Sequence, residues 1–100
     1  MKVLVTGGSG FIGTNLVQEL QNRDHHVVIC DLLNNSLENY YRCDVSKIRQ
    51  IENIFEKHQF DFVYHLAAEY GRWNGEDYYE NLWSTNVIGT KNMIKMQEKY

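Results

Sequence analysis

The segment Thr6-Gly7-Gly8-Ser9-Gly10-Phe11-Ile12-Gly13 constrains this chain more than any other, because glycines at positions 7, 10 and 13 stand between two differently patterned runs. Before them, Lys2 to Thr6 (KVLVT) is rich in β-branched residues without polar alternation, and predicts a buried strand. After them, from Phe11 to about Asn22, Ile12, Leu16 and Leu20 recur every fourth position with Asn15, Gln18, Glu19 and Gln21 on the flanks, which predicts a helix. Each glycine then has a distinct role, with a sharp turn off the strand at Gly7, approach of backbone to a ligand at Gly10, and close packing of the helix on the sheet at Gly13. The helix N-terminus offers N–H groups and a positive dipole end to phosphates. Gly8 to Gly13 also has the glycine spacing of a P-loop, but Thr14 and Asn15 stand where Lys and Ser or Thr are required. Nucleoside triphosphate hydrolysis is therefore not expected.

The rest of the chain continues the alternation. Val27 to Cys30 is a second apolar run closed by Asp31, Leu32 to Asn39 is polar and reads as a loop, and Tyr40 to Cys43 reads as a short third strand. Ser46 offers an N-cap to a helix whose stripe is Ile48, Ile51, Ile54 and Phe55, ending near His58. Asp61 to Leu66 is a fourth strand, Glu69 to Gly75 a loop, and Tyr79, Leu82, Trp83, Val87 and Ile94 mark one long helix from Glu76 almost to Tyr100. Gly89 costs that helix about 1 kcal/mol relative to Ala, which suggests close approach to another element such as the sheet. The pattern predicts an α/β protein with a doubly wound parallel sheet in the order 3-2-1-4.

Composition narrows the function classes. With 10 Lys and Arg against 13 Asp and Glu, the formal charge is -3, without the basic clustering that nucleic-acid binding needs. No apolar run approaches the roughly 20 residues of a membrane span, and no signal-peptide pattern opens the chain, so a cytoplasmic protein is expected. Cys30 and Cys43 have no metal-ligand spacing and read as reduced core residues; no metal is expected.

Asp31 closes the second strand, where a carboxylate can accept hydrogen bonds from both hydroxyls of an adenosine ribose. It would repel a 2′-phosphate, and Leu32-Leu33-Asn34-Asn35-Ser36 brings no cation to attract one, which favours NAD over NADP. With the glycine turn, Asp31, Cys43-Asp44-Val45, His65-Leu66-Ala67-Ala68 and Asn86-Val87-Ile88-Gly89-Thr90, the chain resembles the extended short-chain dehydrogenase/reductases, in particular the NAD-dependent nucleotide-sugar epimerases and dehydratases. The resemblance covers essentially the whole chain and implies a Rossmann-type fold. It implies further that Phe11 and Ile12 present backbone to the pyrophosphate, that Asp44 and Val45 contact adenine, that Leu66, Ala67 and Ala68 lie along the cofactor, and that Asn86 stands beside it. Plainer structural readings stay open: Asp44 as a helix-capping acid, Ala67 and Ala68 as strand-end packing, and Asn86 as an exposed amide.

In that family catalysis uses a Tyr and a Lys at i and i+4, the lysine lowering the tyrosine pKa. None of the seven tyrosines here has a lysine at that distance. The expectation is therefore that residues 1–100 form the N-terminal part of an NAD-binding domain, inactive alone, within an enzyme that acts on a nucleotide-sugar by transient hydride transfer. A non-catalytic dinucleotide-binding module or an inactive fragment is the alternative. The resemblance also implies a homodimer through the long last helix.

Overall fold

A computed structural model describes residues 1–69 and 79–100 of the chain. The elements run β1 (Lys2–Thr6), α1 (Phe11–Asn22), β2 (His26–Asp31), β3 (Tyr40–Arg42), α2 (Ile48–Lys57), β4 (Phe62–His65), α3 (Tyr79–Leu82), a π-helical segment (Trp83–Ile88) and α4 (Gly89–Lys99). The four strands form one sheet in the order β3-β2-β1-β4, with every pairing parallel. The doubly wound architecture and its strand order are those expected from the sequence. Of the expected long helix, residues 76–78 lie outside the described part, as do Arg72 and Trp73 of the loop before it.

The central strands are buried on both faces, which is why their sequences carry no alternation. On one face Val3, Val5, Val27 and Ile29 pack with Val17 and Leu20 of α1. On the other, Leu4, Val28 and Cys30 pack with Ile51, Ile54 and Phe55 of α2 and Met93 and Met96 of α4. Burial of each such aliphatic side chain contributes about 1.5–3 kcal/mol.

Two helix faces differ from their expected stripes. In α1 the buried residues are Gly13, Val17 and Leu20, and Ile12 is exposed, because the helix seats Gly13 against the glycine turn and so rotates Ile12 outward. In the last helical stretch Tyr79, Trp83, Val87 and Ile94 are exposed, and the buried side is Gly89, Asn92, Met93 and Met96. The π-helical turns between Trp83 and Ile88 break the 3.6-residue phase on which the stripe was read.

Two smaller expectations are also corrected. The residue capping α2 is Lys47, not Ser46, whose hydroxyl instead donates to Asp44 Oδ1 at 2.7 Å. Gly89 approaches not the sheet but the loop before α2: a Cβ there would lie 2.7 Å from Val45 Cγ2.

Candidate functional site

The chain leaves β1 for α1 on one side of the sheet and reaches β4 on the other, so β1 marks a topological switch point with a crevice at the carboxyl ends of the strands. The glycine turn forms its floor. Gly7 has φ of 71°, and its N–H donates to Cys30 O at 2.8 Å, which ties the turn to β2. A Cβ on Gly7 would fall 2.9 Å from Ala67 N, so the turn is also wedged against the end of β4. Gly13 is more crowded still, since its Cβ would lie 2.2 Å from Gly7 O and 2.8 Å from Gly8 Cα. Its close approach is thus to the turn itself, where the sequence suggested the sheet. Gly8, to which the sequence assigned no role, would place a Cβ 2.5 Å from Ile29 Cγ2.

Gly10 differs from the others. A Cβ there would meet only Gly7 O, at 3.5 Å, and the residue serves as the N-cap of α1 without any side-chain hydrogen bond. The first helical bond runs from Thr14 N–H to Gly10 O at 2.9 Å, which leaves the N–H groups of Phe11, Ile12 and Gly13 without intrahelical acceptors. No acidic side chain stands in this first turn. The Phe11 and Ile12 side chains are exposed, so it is the backbone here that faces outward with positive character.

A cavity of about 190 Å³ lies over this floor. It is lined by Gly7, Gly10, Cys30, Asp31, Leu32, Cys43, Asp44, Val45, Leu66, Ala67, Ala68, Glu69 and Thr85. Eight of the residues singled out from the sequence therefore meet in one place: Gly7, Gly10, Asp31, Asp44, Val45, Leu66, Ala67 and Ala68. Phe11, Ile12, Gly13 and Asn86 do not line it.

Asp31 is held from two sides. Its Oδ2 accepts from Ser9 N–H at 2.9 Å and its Oδ1 from Leu32 N–H at 2.7 Å. Each carboxylate oxygen has two lone pairs, so both retain capacity for a further donor. Ser9 also donates its hydroxyl to Tyr40 Oη at 3.2 Å, and Tyr40 donates to Leu33 O at 2.6 Å, which joins the glycine turn to the loop after β2.

Asp44 has a structural role at the start of α2. Its Oδ1 accepts from the Ser46 N–H at 3.0 Å and from the Ser46 hydroxyl, so it stabilises the turn into α2, while the residue also lines the cavity. The neighbouring Val45 is buried, and its carbonyl accepts from the buried Asn92 Nδ2 at 2.9 Å.

The β4 end is held by side chains. Thr6 Oγ1 lies 2.7 Å from His65 Nδ1 and accepts from Ala67 N–H at 3.1 Å. Burial holds the His65 imidazole below its ordinary pKa, in keeping with a neutral ring, and its Nε2 is buried with no partner among the described residues. Asn86 is no exposed amide: its Oδ1 accepts from Glu69 N–H at 2.8 Å and its Nδ2 donates to Glu69 O at 2.9 Å. It thereby fixes the chain leaving β4, and the adjacent Thr85 is the one that reaches the cavity wall.

Sequence reasoning missed four contributions. Cys30 and Cys43 were read as core only, yet both are buried and also line the cavity; each immediately precedes one of the two acids, which was the available signal. Hydrogen bonding with Cys43, burial and the Asp31 carboxylate push the Cys30 thiol well above its ordinary pKa, so it stays protonated. Glu69 adds a third carboxylate. Arg42, opposite Asp31 in the β2–β3 register, places its Nε 3.2 Å from Leu32 O. Among the described residues no helix is long and apolar enough to cross a membrane.

A parallel sheet with a glycine-lined turn at its switch point, an acid closing the next strand and an open helix N-terminus is the arrangement of a Rossmann-type nucleotide-binding protein. The family model described as "NAD dependent epimerase/dehydratase family" matches residues 3–100, and the chain belongs to that family. It is 33% identical to a dTDP-glucose 4,6-dehydratase from Haemophilus influenzae over 100% of its own length and 34% of the relative's. It superposes with a TM-score of 0.87 on a UDP-glucose 4-epimerase from Thermus thermophilus in complex with NAD, at 29% identity, covering 100% of this chain and 34% of that one. A monomeric L-threonine 3-dehydrogenase from a metagenome is similar at 34% identity and a TM-score of 0.87, over 98% of this chain and 33% of the other. The chain thus spans about a third of the length of the relatives it matches.

Proposed function

We propose that residues 1–100 form the N-terminal part of an NAD-binding domain in a nucleotide-sugar epimerase or dehydratase. The observation that carries this reading is the gathering of Gly7, Gly10, Asp31, Asp44, Leu66 and Ala67 around one cavity at the switch point of a family member. The residues fit a dinucleotide. Gly10 leaves the helix N-terminus uncovered for a pyrophosphate, with the Phe11, Ile12 and Gly13 N–H groups as donors. Asp31 has acceptor capacity for both ribose hydroxyls, and Asp44 keeps an oxygen outside its Ser46 bonds for an adenine amine, with Val45 beside it. Leu66, Ala67 and Ala68 offer a small apolar wall for the cofactor to run along, and Asn86 sets that wall's position through Glu69.

When bound, NAD would supply a reversible hydride acceptor for a sugar carbon. This chain's residues contribute binding and orientation: neutral backbone donors at the phosphates, and carboxylates at the hydroxyls and amine. The proton-transferring tyrosine and lysine of the family are assigned to no residue here. The exposed Trp83, Val87 and Ile94 support a homodimer contact on the last helix.

The test is turnover by the full-length protein with dTDP-glucose and with UDP-glucose, read by chromatography of the sugar products. A 4-keto or 4-epimer product without net NADH accumulation supports the reading. Stoichiometric NADH release, NAD binding with no change in either sugar, or no binding at all would each overturn it; the second points to a non-catalytic module.

A further inference from the structure

One phenolic oxygen stands behind both donors of the Asp31 carboxylate. Tyr40 opens β3 opposite Ile29, and its ring packs against the core on the α1 face of the sheet. Its Oη accepts from Ser9 Oγ at 3.2 Å and donates to Leu33 O at 2.6 Å. Ser9 is the residue whose N–H binds Asp31 Oδ2, and Leu33 follows the residue whose N–H binds Asp31 Oδ1. Apart from Asp31 itself, Tyr40 is the one side chain among the described residues that bonds to both segments. Residues 32–39 form no helix or strand. A cavity of about 520 Å³ lies beside them, lined by Ser9, Asn35, Leu37, Glu38 and Tyr40 among others, so packed core does not fix the loop from that side. The other side-chain tie between this loop and β3, from Arg42 Nε to Leu32 O at 3.2 Å, is exposed and does not reach the glycine turn.

We infer that Tyr40 is a positioning residue for cofactor binding: it holds the glycine turn and the loop after β2 in the register that aims the Asp31 carboxylate at the ribose hydroxyls. The inference rests on the reading that Asp31 binds the ribose. A carboxylate serves two neighbouring hydroxyls when both of its oxygens are oriented, and here each oxygen is oriented by one backbone N–H. Without the Tyr40 bridge those two N–H groups sit on segments that shift independently, and the carboxylate turns with them. Tyr40 does not line the cleft, so it acts through Asp31 and not on the cofactor.

The test is calorimetric titration of the full-length protein with NAD and with its 2′,3′-dideoxyadenosine analogue, which lacks both ribose hydroxyls. The proteins are the wild type, Tyr40→Phe, which removes only the bridging oxygen, Ser9→Ala, which breaks the same link from the turn, and the double variant. Thermal melts establish that each is folded, and Ser9→Ala carries the test where Tyr40→Phe does not fold. Tyr40→Phe and Ser9→Ala are each expected to bind NAD about fivefold more weakly and the analogue within twofold of wild type, with the two losses combining to less than their product. Equal losses for NAD and the analogue would reduce Tyr40 to a structural contact and overturn the assignment alone, as would unchanged NAD affinity in both single variants. A folded wild type that binds NAD no more tightly than the analogue would overturn the assignment together with the ribose reading beneath it.

Discussion

The two ends of the cleft are built by different means. At the β1–α1 end, shape comes from missing side chains: Gly7, Gly8 and Gly13 each sit where a Cβ would fall within 3 Å of a neighbour, and the groups left without partners in the helix are backbone N–H donors. At the β4 end, shape comes from side-chain hydrogen bonds: Thr6 holds the Ala67 backbone and the His65 ring, and Asn86 holds the Glu69 backbone through both of its amide atoms. The first end is intolerant of added atoms, and the second of lost ones. Asp31 links the glycine turn to the loop after β2, and it does so with a carboxylate that also lines the cavity.

This contrast predicts a graded set of responses. The largest belongs to Gly13→Val, where the new Cβ would begin 2.2 Å from Gly7 O and no flexible side chain can yield. Urea denaturation of the full-length protein is expected to show a loss of about 3 kcal/mol or more, or no cooperative transition. A variant as stable as wild type would mean that the turn can open without cost. Next comes Thr6→Val at the other end: Thr6 is fully buried, so the change leaves Ala67 N–H and His65 Nδ1 without their shared partner and costs about 1–3 kcal/mol. Asn86→Ala removes two hydrogen bonds at a half-buried site and is expected to cost about 1–2 kcal/mol in the same measurement. An Asn86→Ala protein with unchanged stability would show that the chain after β4 is held by other contacts.

The smallest response is to pH. Burial lowers the pKa of His65 and of His58 in the folded protein, so the folded state binds fewer protons than the unfolded chain. Their contribution to stability is complete above the unfolded value of about 6.5 and falls as pH drops through it. The urea midpoint should therefore decline between pH 7.5 and 5.5, and less steeply in His65→Gln. Equal slopes in the two proteins would remove His65 from the account.

How much was legible in the sequence follows the same division. The glycine turn and Asp31 could be read because their constraints are local: a turn without Cβ atoms needs glycine at fixed spacing, and β2 ends where its apolar run ends. The strands β1 and β2 could be read because central parallel strands are apolar throughout. Thr6 with His65 and Asn86 with Glu69 could not, since each pair joins residues distant in the chain whose types are ordinary where they stand. Ile12 and the Tyr79–Ile94 stripe misled because a helix face is chosen by what packs beneath it. Gly13 against the turn, and Gly89 against Val45, fix the rotation more firmly than hydrophobicity does.

Everything proposed for the cleft depends on Asp31, held by Ser9 and Leu32, binding the adenosine ribose of NAD. Calorimetric titration of the folded full-length protein with NAD, in wild type and Asp31→Ala, tests it most directly. One site per chain is expected in the wild type, with an affinity about 10- to 100-fold weaker in the variant, the loss expected for hydrogen bonds to a charged acceptor. Equal affinities, or no NAD binding by the folded wild type, would contradict it.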